Sequence, residues 1–202
     1  MEFSKIAITG HTGGIGLGLY NLVKENKEVF GFSRSNGYDI QHNETIDKIL
    51  EETKDVEVFV NNAYHESQQS IISKKWFELH KDRNHLIINN SSIAADIDCH
   101  FIYGNEDPVA PYAKHKRDLS KIGWEINLQD GQAKAITMSF AVVDTPFKFV
   151  PSHLLERTRN NKTVITPEDT ANIILKAIHD FNKPWFQSNY VIMNYDSFLS
   201  RN

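Results

Sequence analysis

The sequence predicts an α/β protein built on a doubly wound parallel sheet of about seven strands, with helices on both faces. Apolar strand patterns alternate with amphipathic helix patterns along the whole chain, and a glycine-rich turn joins the first strand to the first helix. Alternation of this kind favours parallel strands connected by crossover helices. No linker, repeat or low-complexity tract interrupts it, so we expect residues 1–202 to form one domain.

Short apolar runs and helical periodicity define the expected elements. The strands cover, in order, Met1–Ile8, Glu28–Ser33, a very short Tyr38–Ile40, Val56–Val60, His85–Asn89, Ala133–Ala141 and Tyr190–Met193. Helices are expected after Gly16, over Asn43–Asp55, within Ser67–Lys81, over Pro111–Leu128 and from Pro167 onward. Asn43 and Thr166 are the expected N-caps of two of these helices, because their side chains can accept from amides of the first turn.

The bulk properties exclude several function classes. The net charge of -4 and the pI of about 6.1 do not suit a nucleic-acid-binding surface, which would be basic. Cys99 is the single cysteine, which predicts no disulfide framework and fits a reducing cytoplasm. No signal peptide or membrane-spanning run is evident. The histidines are scattered, so we expect no metal site.

The turn Thr9–Gly16 has the composition of a dinucleotide-binding loop. Gly10 permits a tight turn, Gly14 lets the backbone approach a pyrophosphate, and Gly16 lets the helix pack closely on the sheet. Phosphates would lie at the positive end of the following helix, where backbone N–H groups point outward.

A second group of residues carries proton chemistry. Tyr112 and Lys116 are four residues apart and lie on one face of a predicted helix. A nearby ammonium favours the tyrosinate, so we expect Lys116 to lower the pKa of Tyr112 and allow proton exchange near neutrality. Ser92 follows a predicted strand and could hold a substrate oxygen. Tyr20 and Lys24 have the same spacing but are interpreted as a packed tyrosine and a solvated lysine.

Together, Thr9-Gly10-x-x-x-Gly14-x-Gly16, the strand ending in Ser91-Ser92 and Tyr112-x-x-x-Lys116 resemble the short-chain dehydrogenase/reductase family. The resemblance implies a Rossmann-type sheet and hydride transfer between a nicotinamide cofactor and a small carbonyl or alcohol. It implies that Tyr112 is the acid/base, that Ser92 orients the substrate oxygen, and that Lys116 tunes Tyr112 and grips the nicotinamide ribose. The cofactor contacts that it implies are Gly10, Thr12, Gly14, Ile15, Gly16, Ser33, Arg34, Asp39, Ile40, Asn62, Ala63, Tyr112, Lys116, Val143 and Thr145.

The end of the second strand favours NADP over NAD. It reads Gly31-Phe32-Ser33-Arg34-Ser35 and lacks the acid that would bind the adenosine ribose and repel a 2′-phosphate. Arg34 offers a guanidinium fork to such a phosphate, although a solvated surface arginine is the alternative. Asp39 and Ile40 resemble the step that meets the adenine in the family, and a simple turn aspartate is the alternative there.

The sequence departs from the family at three places. Tyr64 replaces the glycine of Asn-Asn-Ala-Gly, Phe140-Ala141 replaces a Pro-Gly turn, and the family's catalytic asparagine has no assigned equivalent, with only Gln68 and Gln69 nearby. These departures motivate a second hypothesis, a non-catalytic NADP(H)-sensing regulatory protein on the same fold. The family often forms homodimers, which this chain could share. Segments 93–111 and 147–162 could cover a substrate pocket, or be a solvated insertion and a core helix.

Overall fold

Six parallel strands form one sheet in the described part of the chain, in the order β2-β1-β3-β4-β5-β6. The computed structural model describes residues 1–96, 109–145, 156, 159–160, 164–181 and 189–192. The strands are β1 Lys5–Thr9, β2 Glu28–Phe32, β3 Val58–Asn61, β4 Leu86–Ser92, β5 Lys134–Phe140 and β6 Asn189–Ile192. The helices are α1 Gly14–Val23, α2 Asn43–Glu52, α3 Gln68–His80, α4 Ala110–Leu128 and α5 Pro167–Asp180. This is the predicted doubly wound fold.

Each face of the sheet is covered because side chains alternate along its strands. Ile6 and Ile8 point to the layer formed by α1 and α5, whereas Ala7 points to the layer formed by α2, α3 and α4. The first layer is packed around Leu19 and Ile174, which are fully buried. Both faces therefore bury apolar surface, as a parallel sheet requires.

Two local predictions are wrong. Tyr38–Ile40 is not a strand, because only Ser33–Gly37 separates it from β2 and a parallel crossover needs about a dozen residues. The residues between β2 and Tyr38 form a 3₁₀ turn that ends at Gly37 with a φ of 89°. The N-cap of α2 is His42, without a side-chain cap bond, and Asn43 is the first helical residue.

The remaining helix boundaries agree closely with the sequence. Thr166 caps α5, since its hydroxyl accepts from the Asp169 amide at 3.0 Å. The two segments expected to cover a substrate pocket, 93–111 and 147–162, lie mostly outside the described residues, which leave out 97–108, 146–155, 157–158 and 161–163. Within the described part of the chain, no helix has both the length and the apolar character needed to span a lipid bilayer.

Candidate active site

The glycine turn between β1 and α1 has the shape of a phosphate cradle. Gly10 and Gly14 adopt left-handed φ values of 73° and 51°, which favour glycine. A Cβ at Gly16 would overlap the Gly10 carbonyl oxygen, so only glycine lets α1 start this close to the turn. Gly13 is an extended N-cap, and a glycine has no side chain that could accept from the first amides of α1. Such a helix start is suited to an anion. Thr12 is exposed at the turn and Ile15 is partly buried.

Asn62 and Ala63 join this turn to the end of β3. The Thr9 hydroxyl accepts from both of their backbone amides at 2.9 Å, and the Asn62 side chain donates to the Thr9 carbonyl at 2.9 Å. Asn90 of β4 donates in turn to Asn62 Oδ1 at 2.9 Å. These bonds hold the carboxyl ends of three neighbouring strands at fixed positions.

The end of β2 forms a small polar turn beside the glycine loop. Ser33 caps the 3₁₀ turn, and its hydroxyl lies 2.8 Å from that of Ser35. Arg34 is exposed on this turn. Asp39 accepts from the Gln41 amide at 3.0 Å, which is the bond of a turn aspartate, and the Ile40 side chain packs in the core.

On the other side of the glycine loop lies the segment after β5. Val143 is buried and forms a parallel bridge with Ile165. Thr145 approaches the loop, because a Cβ built on Gly14 would lie 3.1 Å from its methyl group. Despite the loss of Pro-Gly at Phe140-Ala141, Thr145 therefore lies beside the glycine turn.

Ser92, Tyr112 and Lys116 meet at the ends of β4 and α4. The Ser92 hydroxyl hydrogen-bonds the Tyr112 side chain, and it also accepts from the Ala94 amide at 3.3 Å. Ser91 faces α4 instead, where its hydroxyl lies 3.2 Å from that of Ser120. The structure therefore brings Ser92, the serine that the sequence favoured, against Tyr112.

Lys116 is buried at the centre of this cluster, with 4% of its surface exposed. Its ammonium donates to Gln69 Oε1 at 2.6 Å and to the Asn90 carbonyl at 2.7 Å. The ammonium nitrogen also lies 5.5 Å from the centre of the Tyr112 ring and 5.3 Å from that of Tyr64. Two of its three N–H donors thus have neutral oxygen acceptors, and two aromatic rings lie next to it.

The protonation states differ from the sequence-based expectation. Burial raises the pKa of Tyr112 to about 12, and its hydrogen bond with Ser92 opposes that shift only in part. Burial lowers the pKa of Lys116 to about 7. The predicted lowering of the pKa of Tyr112 by Lys116 is therefore wrong for this state of the chain, because removal of the phenol from water dominates the shift. Tyr112 is therefore a protonated phenol at neutral pH.

Gln69 is one of two residues, with Gln68, to which the sequence assigns no role. It is buried in the first turn of α3, where its Nε2 donates to the Asn61 carbonyl at 2.7 Å. That bond fixes the amide orientation and turns Oε1 toward Lys116. Gln69 shares the buried face of α3 with Ile72 and Trp76, and a polar residue at a core-facing position was the available signal.

Tyr64 also belongs to this cluster. Its ring packs edge-on against Tyr112, with centroids 4.9 Å apart and an interplanar angle of 75°. Its hydroxyl lies 3.0 Å from His115 Nδ1. The sequence flagged Tyr64 only as a departure, and no spacing rule pairs it with Tyr112 or His115.

The expected cofactor-binding residues thus occupy one edge of the sheet, in three groups. The first group follows the end of β2 and comprises Ser33, Arg34, Asp39 and Ile40. The glycine turn is the second group and lies in the middle. The third group comprises Ser92, Tyr112 and Lys116, and Asn62 and Ala63 lie between it and the glycine turn. None of the hydrogen bonds in the described part of the chain connects the β2 group directly to Ser92, Tyr112 or Lys116. An extended ligand would be needed to contact both ends.

Comparison with known proteins links this arrangement to solved structures but to no sequence family. No family model and no curated protein matches the chain. A short-chain dehydrogenase from Burkholderia cenocepacia J2315 in complex with NADP has a TM-score of 0.75 at 16% identity, covering 97% of this chain and 91% of that chain. The 3-alpha-hydroxysteroid dehydrogenase from Pseudomonas sp. B-0831 complexed with NADH has a TM-score of 0.71 at 16% identity, covering 94% of this chain and 95% of that chain.

A third similar structure is the 3-ketoacyl-(acyl-carrier-protein) reductase from Brucella melitensis complexed with NADH. Its TM-score is 0.72 at 15% identity, and the match covers 96% of this chain and 98% of that chain. At such identities the likeness concerns the fold alone, and it extends over nearly the full length in every case. The chain therefore has the fold of the short-chain dehydrogenases and reductases, as its motifs predict.

Proposed function

We propose that this protein is a nicotinamide-dependent oxidoreductase that reduces a small carbonyl compound to an alcohol, with Tyr112 as the proton donor. The observation that carries the proposal is the buried contact of Ser92, Tyr112 and Lys116 at the same sheet edge as the glycine turn. The bound NADP or NADH of the similar structures supports a nicotinamide cofactor.

The glycine turn fits a dinucleotide. Its left-handed glycines and the uncapped start of α1 would hold the pyrophosphate, and Thr145 and Val143 would border the nicotinamide end. Asn62 and Ala63 would line the adenosine ribose, and Lys116 would contact the nicotinamide ribose. When bound, the reduced cofactor supplies a hydride to the substrate carbon.

The chain's own residues supply the proton and hold the oxygen. Ser92 orients the substrate oxygen toward Tyr112, whose phenol is protonated at neutral pH because burial raises its pKa to about 12. As negative charge develops on that oxygen, Tyr112 gives up its proton. The Lys116 ammonium then stabilises the tyrosinate, at pH values where it is itself protonated. A high pKa for Tyr112 favours the reductive direction.

Isotope transfer tests the reaction class. The purified chain is incubated with NADPH carrying deuterium at C4, on either face, and with a panel of aldehydes and ketones. Mass spectrometry of the products should find deuterium on the former carbonyl carbon of at least one substrate. NADPH that binds but transfers no deuterium to any member of the panel would contradict the proposal.

We further propose that NADP is the preferred cofactor. Arg34 is exposed at the end of β2 beside the hydroxyls of Ser33 and Ser35, which suits a 2′-phosphate. Arg34→Ala should weaken NADPH binding about tenfold or more, since a charge-assisted hydrogen bond is worth about 1.5–3 kcal/mol, and should leave NADH binding nearly unchanged. Calorimetric titration measures the affinity of the parent and the variant for both cofactors. An equal loss of affinity for NADPH and NADH would contradict the preference.

A second candidate is a nucleotide-sensing regulatory protein on the same fold. The burial of Lys116 behind Tyr64 favours it, because a sensor can bind a nucleotide without an accessible proton relay. Saturable NADPH binding, with no deuterium transfer to any carbonyl class, is the result that this candidate expects. Deuterium transfer at a catalytic rate would eliminate it.

A further inference from the structure

We infer that Tyr64 controls the access of the nucleotide to Lys116, and that His115 holds Tyr64 in the covering position. The inference rests on the proposed function, in which Lys116 contacts the nicotinamide ribose. It concerns the step before the reaction, since Lys116 must meet the ribose before Tyr112 can work.

The first argument is the burial of Lys116. Only 4% of this residue is exposed, although it lies at the edge of the sheet where a ribose would have to reach it. Gln69 and Asn90 contact the ammonium from α3 and β4 and are interior groups of the fold. Tyr64 lies 5.3 Å from the ammonium, measured to the ring centre, and comes from the loop between β3 and α3. Among the described residues whose contacts with the ammonium are given, Tyr64 is the one that belongs to a loop, whereas Gln69, Asn90 and Tyr112 lie on helices or strands.

The second argument is the set of contacts that hold the Tyr64 ring. It packs edge-on against Tyr112 at 4.9 Å, and its hydroxyl lies 3.0 Å from His115 Nδ1. The ring thus makes interactions with three successive groups of one face of α4: Tyr112, His115 and Lys116. The same loop contains Glu66 with a left-handed φ of 42°, an uncommon conformation for a residue other than glycine.

The two arguments give a quantitative expectation. When only a fraction of the molecules is open, the measured dissociation constant is the intrinsic constant divided by that fraction. Edge-on aromatic pairs and ammonium–ring contacts are each worth enough to change such an equilibrium several-fold. Removing the ring should therefore tighten NADPH binding roughly tenfold, and removing only the hydrogen bond to His115 should tighten it about threefold.

The experiment measures NADPH binding by calorimetry and by stopped-flow fluorescence for the full chain and its variants. Tyr64→Ala removes the ring, while Tyr64→Phe and His115→Ala each remove the hydrogen bond and should agree with one another. Lys114→Ala is the matched control, because Lys114 is an exposed neighbour on α4 that pairs with Asp118 at 2.9 Å. Tyr64→Ala should bind more tightly and associate faster, and the control should match the parent.

The outcomes separate this inference from the proposed function. If the parent binds NADPH and Tyr64→Ala binds it equally well or more weakly, the inference is overturned and the proposed function stands. The ring would then be neutral or a direct contact of the nucleotide. No NADPH or NADH binding by the parent or by any variant would overturn the proposed function, and the inference with it. Circular dichroism of each variant confirms that the fold is retained.

Discussion

Lys116 owes its low pKa to burial, and the groups that accept its hydrogen bonds carry no charge. Its ammonium is removed from water and donates to the amide oxygen of Gln69 and the carbonyl of Asn90. The other titratable groups near it, on the facing loop and on α4, are Tyr64, Tyr112 and His115. Neutral acceptors compensate only part of the cost of burying a charge. Small changes in this shell should therefore move the pKa of Lys116 by a measurable amount.

We predict that Gln69 sets the alkaline limit of the reductive reaction. Lys116, with a pKa of about 7, loses its proton as the pH rises through that value, so kcat/KM for NADPH should fall there. Gln69→Glu places a carboxylate beside the ammonium, which raises the pKa of Lys116 and moves the fall to higher pH. Gln69→Met removes the acceptor and moves it to lower pH. A pH profile that is the same in all three proteins would contradict this role.

At the scale of an element, the start of α1 depends on Gly16. A methyl group at this position would overlap the Gly10 carbonyl oxygen, so α1 or the turn must shift. We predict that Gly16→Ala destabilises the chain by about 1–3 kcal/mol and strongly weakens NADPH binding. Gly13→Ala is the matched control for stability, because nothing in the protein lies within 4 Å of a Cβ there. Urea unfolding and calorimetry measure both effects, and equal behaviour of the two variants would contradict the account.

The N-cap of α5 begins a helix that packs against α1. Thr166 accepts from the Asp169 amide. Thr166→Ala should lower the free energy of unfolding by about 1 kcal/mol, while NADPH affinity changes little because the turn itself is untouched. Thr166→Ser, which keeps the hydroxyl, should behave as the parent in the same urea titration. A Ser variant as unstable as the Ala variant would exclude the cap as the cause.

The predictable parts of the fold are those encoded locally. The glycine turn follows from residues within one short segment, and Tyr112 and Lys116 are paired by the helix period alone. The strand expected at Tyr38–Ile40 was wrong because β propensity says nothing about crossover length. The contacts of Gln69 and Tyr64 depend on how α3 and the β3–α3 loop pack on α4. Gln69 meets Lys116 across 47 residues of sequence, and Tyr64 meets His115 across 51. No periodicity encodes such distances.

At the scale of the whole molecule, two buried histidines link stability to pH. His80 is fully buried, stacks on Trp76 at 4.7 Å and shares a hydrogen bond with the Trp76 carbonyl at 2.8 Å, and His85 packs edge-on against it at 5.1 Å. Burial lowers the pKa of both histidines in the folded chain. The unfolded chain, with an ordinary histidine pKa of about 6.5, binds protons that the folded chain does not.

We therefore predict that these two histidines do not change the free energy of unfolding above pH ~6.5. Below that pH the free energy of unfolding should fall by up to about 1.4 kcal/mol per pH unit for each histidine. His80→Gln should flatten this dependence. His42→Gln, at an exposed histidine, is the control and should retain it. Urea titrations between pH 5 and 8 give the comparison, and an equally steep loss in His80→Gln would assign the effect to other groups.

Carbonyl-dependent NADPH oxidation by the parent, Tyr112→Phe and Tyr20→Phe decides whether Tyr112 is the proton donor. Tyr20 is the matched control, since it has the same spacing to Lys24 as Tyr112 has to Lys116 but lies on α1. We predict turnover in the parent and in Tyr20→Phe, and its loss in Tyr112→Phe with NADPH affinity nearly intact. Equal turnover in Tyr112→Phe would show that this phenol is not the proton donor and would contradict the account.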